Sequence, residues 1–174
     1  MTIKKIGELY MSTEERDTLA WHETLEIHEL TAFQAIGLIK LKKAFRKIND
    51  PELRGIYEKT IQGLEINIKE LVQFYPAAPV SPDRNEPLTS DLAFYAGDLL
   101  ALMKTSVRNY SIAITETATP AVRKILTDHL LRSIQGHERI FRYMYKKGYY
   151  PSYDLGQLLA NDLNNAQKAL SMDY

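Results

Sequence analysis

Apolar residues recur along the chain in steps of three and four, the spacing of helices that each bury one face. Leu19, Trp21, Leu25, Leu30, Phe33, Ile36, Ile39 and Leu41 mark a first helix running to Ile48, opened by the capping box Ser12-x-x-Glu15. Asn49-Asp50-Pro51 stops it and starts a second, with Asp50 as N-cap and Pro51 in the first turn. The second helix carries Tyr57, Ile61, Leu64, Ile68, Leu71 and Tyr75, a bundle seam. PAAPVSPDRNEP holds four of the seven prolines and no periodicity, so it is a loop. A third helix starts near Thr89 or Ser90 and follows Leu92, Tyr95, Leu99, Leu102, Ser106 and Ala113. Thr119-Pro120 opens a fourth, with the stripe Leu126, Leu130, Ile134, His137, Phe141 and Met144 and with Gly148 as its closing glycine. A shorter fifth helix follows Asp154-x-x-Gln157, with Leu155, Leu158, Leu159, Leu163, Ala166 and Leu170 on one face.

Connection lengths select the topology. Short links join the first helix to the second and the third to the fourth, so each pair is an antiparallel hairpin. The longer link between the pairs could reach about 40 Å when extended, and the second helix is about 36 Å long. The predicted fold is therefore all-α: a ferritin-like four-helix bundle, two antiparallel hairpins joined by a long crossover, plus a short C-terminal helix. In one domain over residues 1–174, the first hairpin spans 13–75, the crossover 76–88, the second hairpin 89–153 and the C-terminal helix 154–174.

Composition narrows the function classes. A chain of 174 residues with 45% hydrophobic content buries roughly 70% of its unfolded surface and folds without a metal or disulfide. There is no cysteine, which excludes disulfides, thiol catalysis and cysteine-bound zinc. The 22 basic and 22 acidic residues are spread along the chain, with no basic stripe for nucleic acid and no polybasic membrane patch. No apolar run is long enough to span a bilayer, and the N-terminal stretch lacks the apolar core of a secretory signal.

Candidate chemistry is sparse. HETLEIH, residues 22–28, looks like a zinc-protease helix, but its histidines are six residues apart and point about 120° from each other around the axis. His22 and Glu26 read as a surface pair and His28 as structural. Ferritin-like di-metal centres need Glu-x-x-His from two helices, and that motif is absent. An internal ruler finds its remnants. DPELR at 50–54 matches TPAVR at 119–123 at an offset of 69, through duplication or through shared cap chemistry. The offset places Glu65 on Ile134, Ile68 on His137 and Glu29 on Asp98. Glu29, Glu65, Asp98 and His137 are thus the candidate metal ligands. The alternative is three flank carboxylates and a hydrogen-bonded histidine at the core edge. Ile in two ligand places favours that alternative, so no metal, cofactor or catalytic residue is expected.

TETATPAVRKIL followed by HERIFRYMYKKGYYPSYD is similar to the Coat F domain of endospore-forming bacteria, through Thr119-Pro120, Arg123, His137 and Gly148-Tyr149-Tyr150. LAWHETLEIHELTAFQAIGLIKLKKAF through LVQFYPAAP resembles the N-terminal hairpin of longer members, so the likeness covers roughly residues 16–153. The resemblance implies a ferritin-like bundle without enzymatic activity, made in the mother-cell cytoplasm and placed in the spore coat. Its partners would be other coat proteins, with a homo-oligomer as a further expectation and neither nucleic acid nor membrane. A degenerate metal-binding or redox bundle is one alternative, and an adaptor docking through the C-terminal helix is another. Tyr143, Tyr145, Tyr149, Tyr150 and Tyr153, five of the 11 tyrosines, cluster near the end of the fourth helix. They read as an assembly or cross-linking surface, or as rings that close the bundle with their hydroxyls wet.

Overall fold

In a computed structural model, residues 18–82 and 91–174 are described, and among them five α-helices form with no strand. The all-α class is as predicted. Helix α1 spans Trp21–Phe45, α2 Pro51–Val72, α3 Asp91–Thr115, α4 Pro120–Lys146 and α5 Leu155–Ser171.

The ends of these helices follow local chemistry. Asp50 caps α2 by accepting from the Leu53 N–H at 2.7 Å, and Asp154 caps α5 by accepting from the Gln157 N–H at 3.0 Å. Arg54 crosses the tight α1–α2 turn, donating to the Phe45 carbonyl at 3.2 Å with its guanidinium 3.9 Å over the Phe45 ring. Helix α4 closes with Gly148 at φ 73°, the left-handed residue its sequence predicts. There the Tyr149 N–H donates to Met144 and the Gly148 N–H to Tyr145, the pairing of a Schellman end.

The start of α1 differs from the expectation. Ser12 and Glu15 lie outside the described residues, but residues 18–20 are not helical and α1 opens at Trp21. Glu23 supplies the cap, accepting from the Ala20 N–H at 2.8 Å. The Leu19 N–H donates to the Ala77 carbonyl at 2.6 Å, which ties the incoming chain to the Tyr75–Ala77 3₁₀ turn after α2. The predicted N-cap of α3, Thr89 or Ser90, also lies outside the described residues.

Helices α1, α2 and α5 make the main core. Ala35, Leu38, Ile39 and Phe45 pack with Ile61, Ile68, Ala166 and Ala169, and Phe94 reaches in from α3. Each large side chain buried here contributes about 1.5–3 kcal/mol. The seam of α1 is not its most apolar stripe. Thr24, His28, Thr31, Ala35, Leu38, Lys42 and Phe45 alternate four and three residues and are buried, while Trp21, Leu25, Leu30 and Phe33 are exposed. The expected stripe lost because α5 brings polar partners to the seam, as described below.

The second hairpin is lightly buried. Among its helical residues only Phe94, Ala96, Gly97, Ser133 and Met144 are fully enclosed. Leu92, Tyr95, Leu99, Leu102 and Ile134, expected in the core, are exposed. Helix α5 covers the α1–α2 hairpin, and α3 meets α1 along a narrow line. At Gly97 an added Cβ would stand 2.9 Å from Ile36 Cδ1, and at Gly136 one would stand 2.6 Å from Met103 Sδ. These two glycines set how closely α3 approaches α1 and α4.

Candidate functional site

The most enclosed ionisable groups sit where α1 and α5 meet the turn after α2. His28 on α1 is 4% exposed and Asp162 on α5 is 3% exposed. His28 Nδ1 lies 2.6 Å from Asp162 Oδ2, and the Tyr75 hydroxyl donates to the same oxygen at 2.7 Å. The Tyr150 ring lies 6.0 Å from the His28 ring, with Phe141 edge-on to it at 5.8 Å. Two separate elements, α1 and the turn after α2, thus converge on one carboxylate oxygen of a third, α5.

The electrostatics follow from this enclosure. Burial alone would lower the His28 pKa, but the hydrogen bond and charge of Asp162 overcome it and hold the imidazole above its ordinary value. Burial pushes the Asp162 carboxyl up, against the pull of His28 and Tyr75. Burial and the Asp162 charge keep the Tyr75 hydroxyl protonated. A carboxyl, an imidazole and a phenol hydrogen-bonded together can hold or pass a proton, but all three are shut away from solutes. A niche of about 20 Å³ lies between Ala93, Tyr149, Asn161, Asn164 and Asn165, room for about one water. An open groove of about 290 Å³ runs between α3 and α4. Neither is lined by His28, Asp162 or Tyr75.

A second polar knot lies further along the same seam. Lys42 is 1% exposed, yet its ammonium pairs with Glu65 Oε1 on α2 at 2.7 Å. It also donates to the carbonyls of Ala169 at 2.9 Å and Met172 at 2.8 Å. A cation here satisfies the last carbonyls of α5 and the negative end of its dipole. His28–Asp162–Tyr75 and Lys42–Glu65 therefore pin the middle and the C-terminal end of α5 to the first hairpin. The apolar face of α5 is spent in the same contact, with Leu158, Leu159, Ala166 and Ala169 buried. The apolar stripe of the C-terminal helix, expected to dock on the bundle or on a partner, therefore packs on the bundle.

The four candidate metal ligands are placed apart in function. Glu29 pairs with Lys104 of α3, and Asp98 pairs with Lys40 of α1 at 2.8 Å, a reciprocal crossing of two antiparallel helices. Glu65 belongs to the Lys42 knot. His137 is half-buried and stacks on Phe141 at 6.4 Å. Among the described residues no group of three or more His, Cys, Asp or Glu side chains could hold a metal ion. His22 and Glu26 are exposed, while His28 is enclosed. Tyr143, Tyr145 and Tyr153 are exposed and Tyr149 and Tyr150 half-buried, so the tyrosine cluster straddles the surface.

Sequence reasoning missed Asp162, Tyr75 and Lys42 as partners. A signal was present: Asp162 lies four residues from both Leu158 and Ala166, a carboxylate on the apolar stripe. Such a residue demands a buried partner, and His28 and Lys42 on the α1 seam have the same need.

Comparison with known proteins decides the relationship. A family model, the Coat F domain, matches residues 92–153, which cover most of α3 and all of α4 with its closing turn. The chain is also 36% identical over 77 residues to the spore coat protein F-like protein YraD of Bacillus subtilis (strain 168), covering 44% of this chain and 78% of that one. The chain belongs to the Coat F family. A second relative, the spore coat protein F-like protein YraG of the same organism, is 31% identical over 78 residues, covering 42% of this Coat F chain and 96% of its own. No solved structure matches this Coat F protein. Arg123 and Gly148, quoted above for the resemblance, both take part in local closure. Arg123 donates to the Thr117 carbonyl before α4, and Gly148 ends the helix.

Proposed function

We propose that this chain is a structural component of the bacterial spore coat, acting as one domain through protein–protein contacts and without catalysis. Its place would be the coat, after synthesis in the mother-cell cytoplasm, and its partners other coat proteins. The observation that carries the reading is the relation to the two spore coat protein F-like proteins. Physical support comes from the use of the chain's buried ionisable groups. His28, Asp162 and Lys42 are all committed to holding α5 in place, and Glu29 and Asp98 cross-link α1 to α3. Charged groups spent on the fold support a scaffold better than a turnover site. The test is fractionation of purified spores from a sporulating Bacillus host expressing an epitope-tagged chain. Recovery in the detergent- and denaturant-extracted coat fraction is expected. Recovery only in the spore core or the mother-cell lysate would overturn the proposal.

A further inference from the structure

Between Tyr95 and Met103, α3 reads YAGDLLALM, with one charged residue, Asp98, which is bound to Lys40 of α1. A helix apolar on every side belongs in an interior. Two sides of α3 have neighbours in this chain, α1 at Gly97 and α4 at Met103. The third side is open: Tyr95, Leu99 and Leu102 are exposed, with Leu102 at 58%, and the Lys43 ammonium of α1 reaches only its Tyr95 margin. Beside them runs the groove of about 290 Å³ lined by Leu99, Met103, Gly136, Arg139, Ile140 and Tyr143.

We propose that this face binds the same face of a second copy of the chain, so that two α3–α4 hairpins close into an intermolecular four-helix bundle. The surface is self-complementary. It carries a ridge, Tyr95–Leu99–Leu102 in steps of four and three, and next to it the hollow of the α3–α4 groove, floored by Met103 packed on Gly136 and walled by Ile140 and Tyr143. About a twofold axis the ridge of each protomer enters the hollow of the other, an isologous contact. The area is sufficient. At roughly 100 Å² for each half-exposed large apolar side chain, Tyr95, Leu99, Leu102, Val122, Ile125 and Tyr143 leave about 600 Å² uncovered, so two copies would bury about 1,200 Å², the lower end of a standard interface. A helical hairpin with so few enclosed residues also lacks a core of its own, and pairing two of them supplies one. The proposal does not rest on the coat role.

Sedimentation velocity and light scattering on the purified full-length chain test it. A dimer of twice the 20.0 kDa chain mass is expected. Leu102→Glu, and Leu99→Glu with Leu102→Glu, should weaken the dimer at least about a hundredfold while far-UV dichroism keeps its helical signal. Ile66→Glu, on the exposed face of α2, should leave the dimer intact. A wild-type chain that stays monomeric at every concentration overturns the proposal. So does a dimer that survives Leu99→Glu/Leu102→Glu, since another face would then hold it.

Discussion

Asp162 is the side chain on which the buried polar chemistry turns. Replacing it with alanine leaves the enclosed His28 imidazole and the Tyr75 hydroxyl without their acceptor, a loss of about 3–5 kcal/mol. Tyr75→Phe removes one hydrogen bond and should cost about 1 kcal/mol. Urea unfolding of the two variants separates these outcomes, and equal losses would contradict the geometry. The pH dependence has a definite sign. Because Asp162 holds the His28 pKa above 6.5, the ion pair is complete below that pH down to where Asp162, itself pushed above the usual carboxylate range by burial, takes up its proton. Its contribution fades as pH rises through the folded-state value, at no more than about 1.4 kcal/mol per pH unit. Stability measured from pH 6.5 to 9 should therefore fall, and Asp162→Asn should flatten the trend. Lys42 supplies the matching test at the C-terminal end of α5. Lys42→Met keeps the stem's volume but strands Glu65 and the last carbonyls of α5, an expected loss of about 2–4 kcal/mol. The metal alternative also belongs at this scale. Protein incubated with iron, manganese and zinc and then desalted should be metal-free by plasma mass spectrometry. One ion per chain, lost in His137→Ala, would contradict the ion pairing found for Glu29, Glu65 and Asp98.

The helices were legible in the chain wherever local chemistry sets their limits. Asp50-Pro51, Thr119-Pro120, Gly148 and Asp154 mark boundaries that the structure keeps. The α2 seam through Ile61, Ile68 and Tyr75 is buried as its spacing predicts. The α1 seam was misread, because hydrophobicity points to Trp21, Leu25 and Phe33, whereas burial follows His28, Thr31 and Lys42. Polar groups enter a core only when distant residues satisfy them, and Asp162 lies 134 positions from His28. No local window contains that information. The same gap hid the placement of α5, whose amphipathic face was plain but whose docking partner was not. Two expectations follow at this scale. Gly148→Ala forces a left-handed φ on an L side chain and should cost about 1–2 kcal/mol, with Gly148→Asn recovering part of it. Deleting residues 155–174 uncovers Ile39, Ile68 and the buried Lys42, so the truncated chain should aggregate. A cooperative melt of that truncated chain would show that α5 is an accessory.

For the whole molecule, burial is uneven: three helices share the main core, while the Coat F hairpin α3–α4 leaves much of its apolar surface open. A scaffold protein has use for such a face, and equal numbers of acidic and basic residues remove the repulsion that keeps copies apart. Among the described residues no helix is long and apolar enough to cross a membrane. The claim that this is a coat component is tested most directly in sporulating cells. A fluorescent fusion expressed from a sporulation promoter is followed by microscopy through engulfment and spore release. A ring around the developing spore that persists on the released spore is expected. Diffuse fluorescence throughout the mother cell, lost when it lyses, would contradict it.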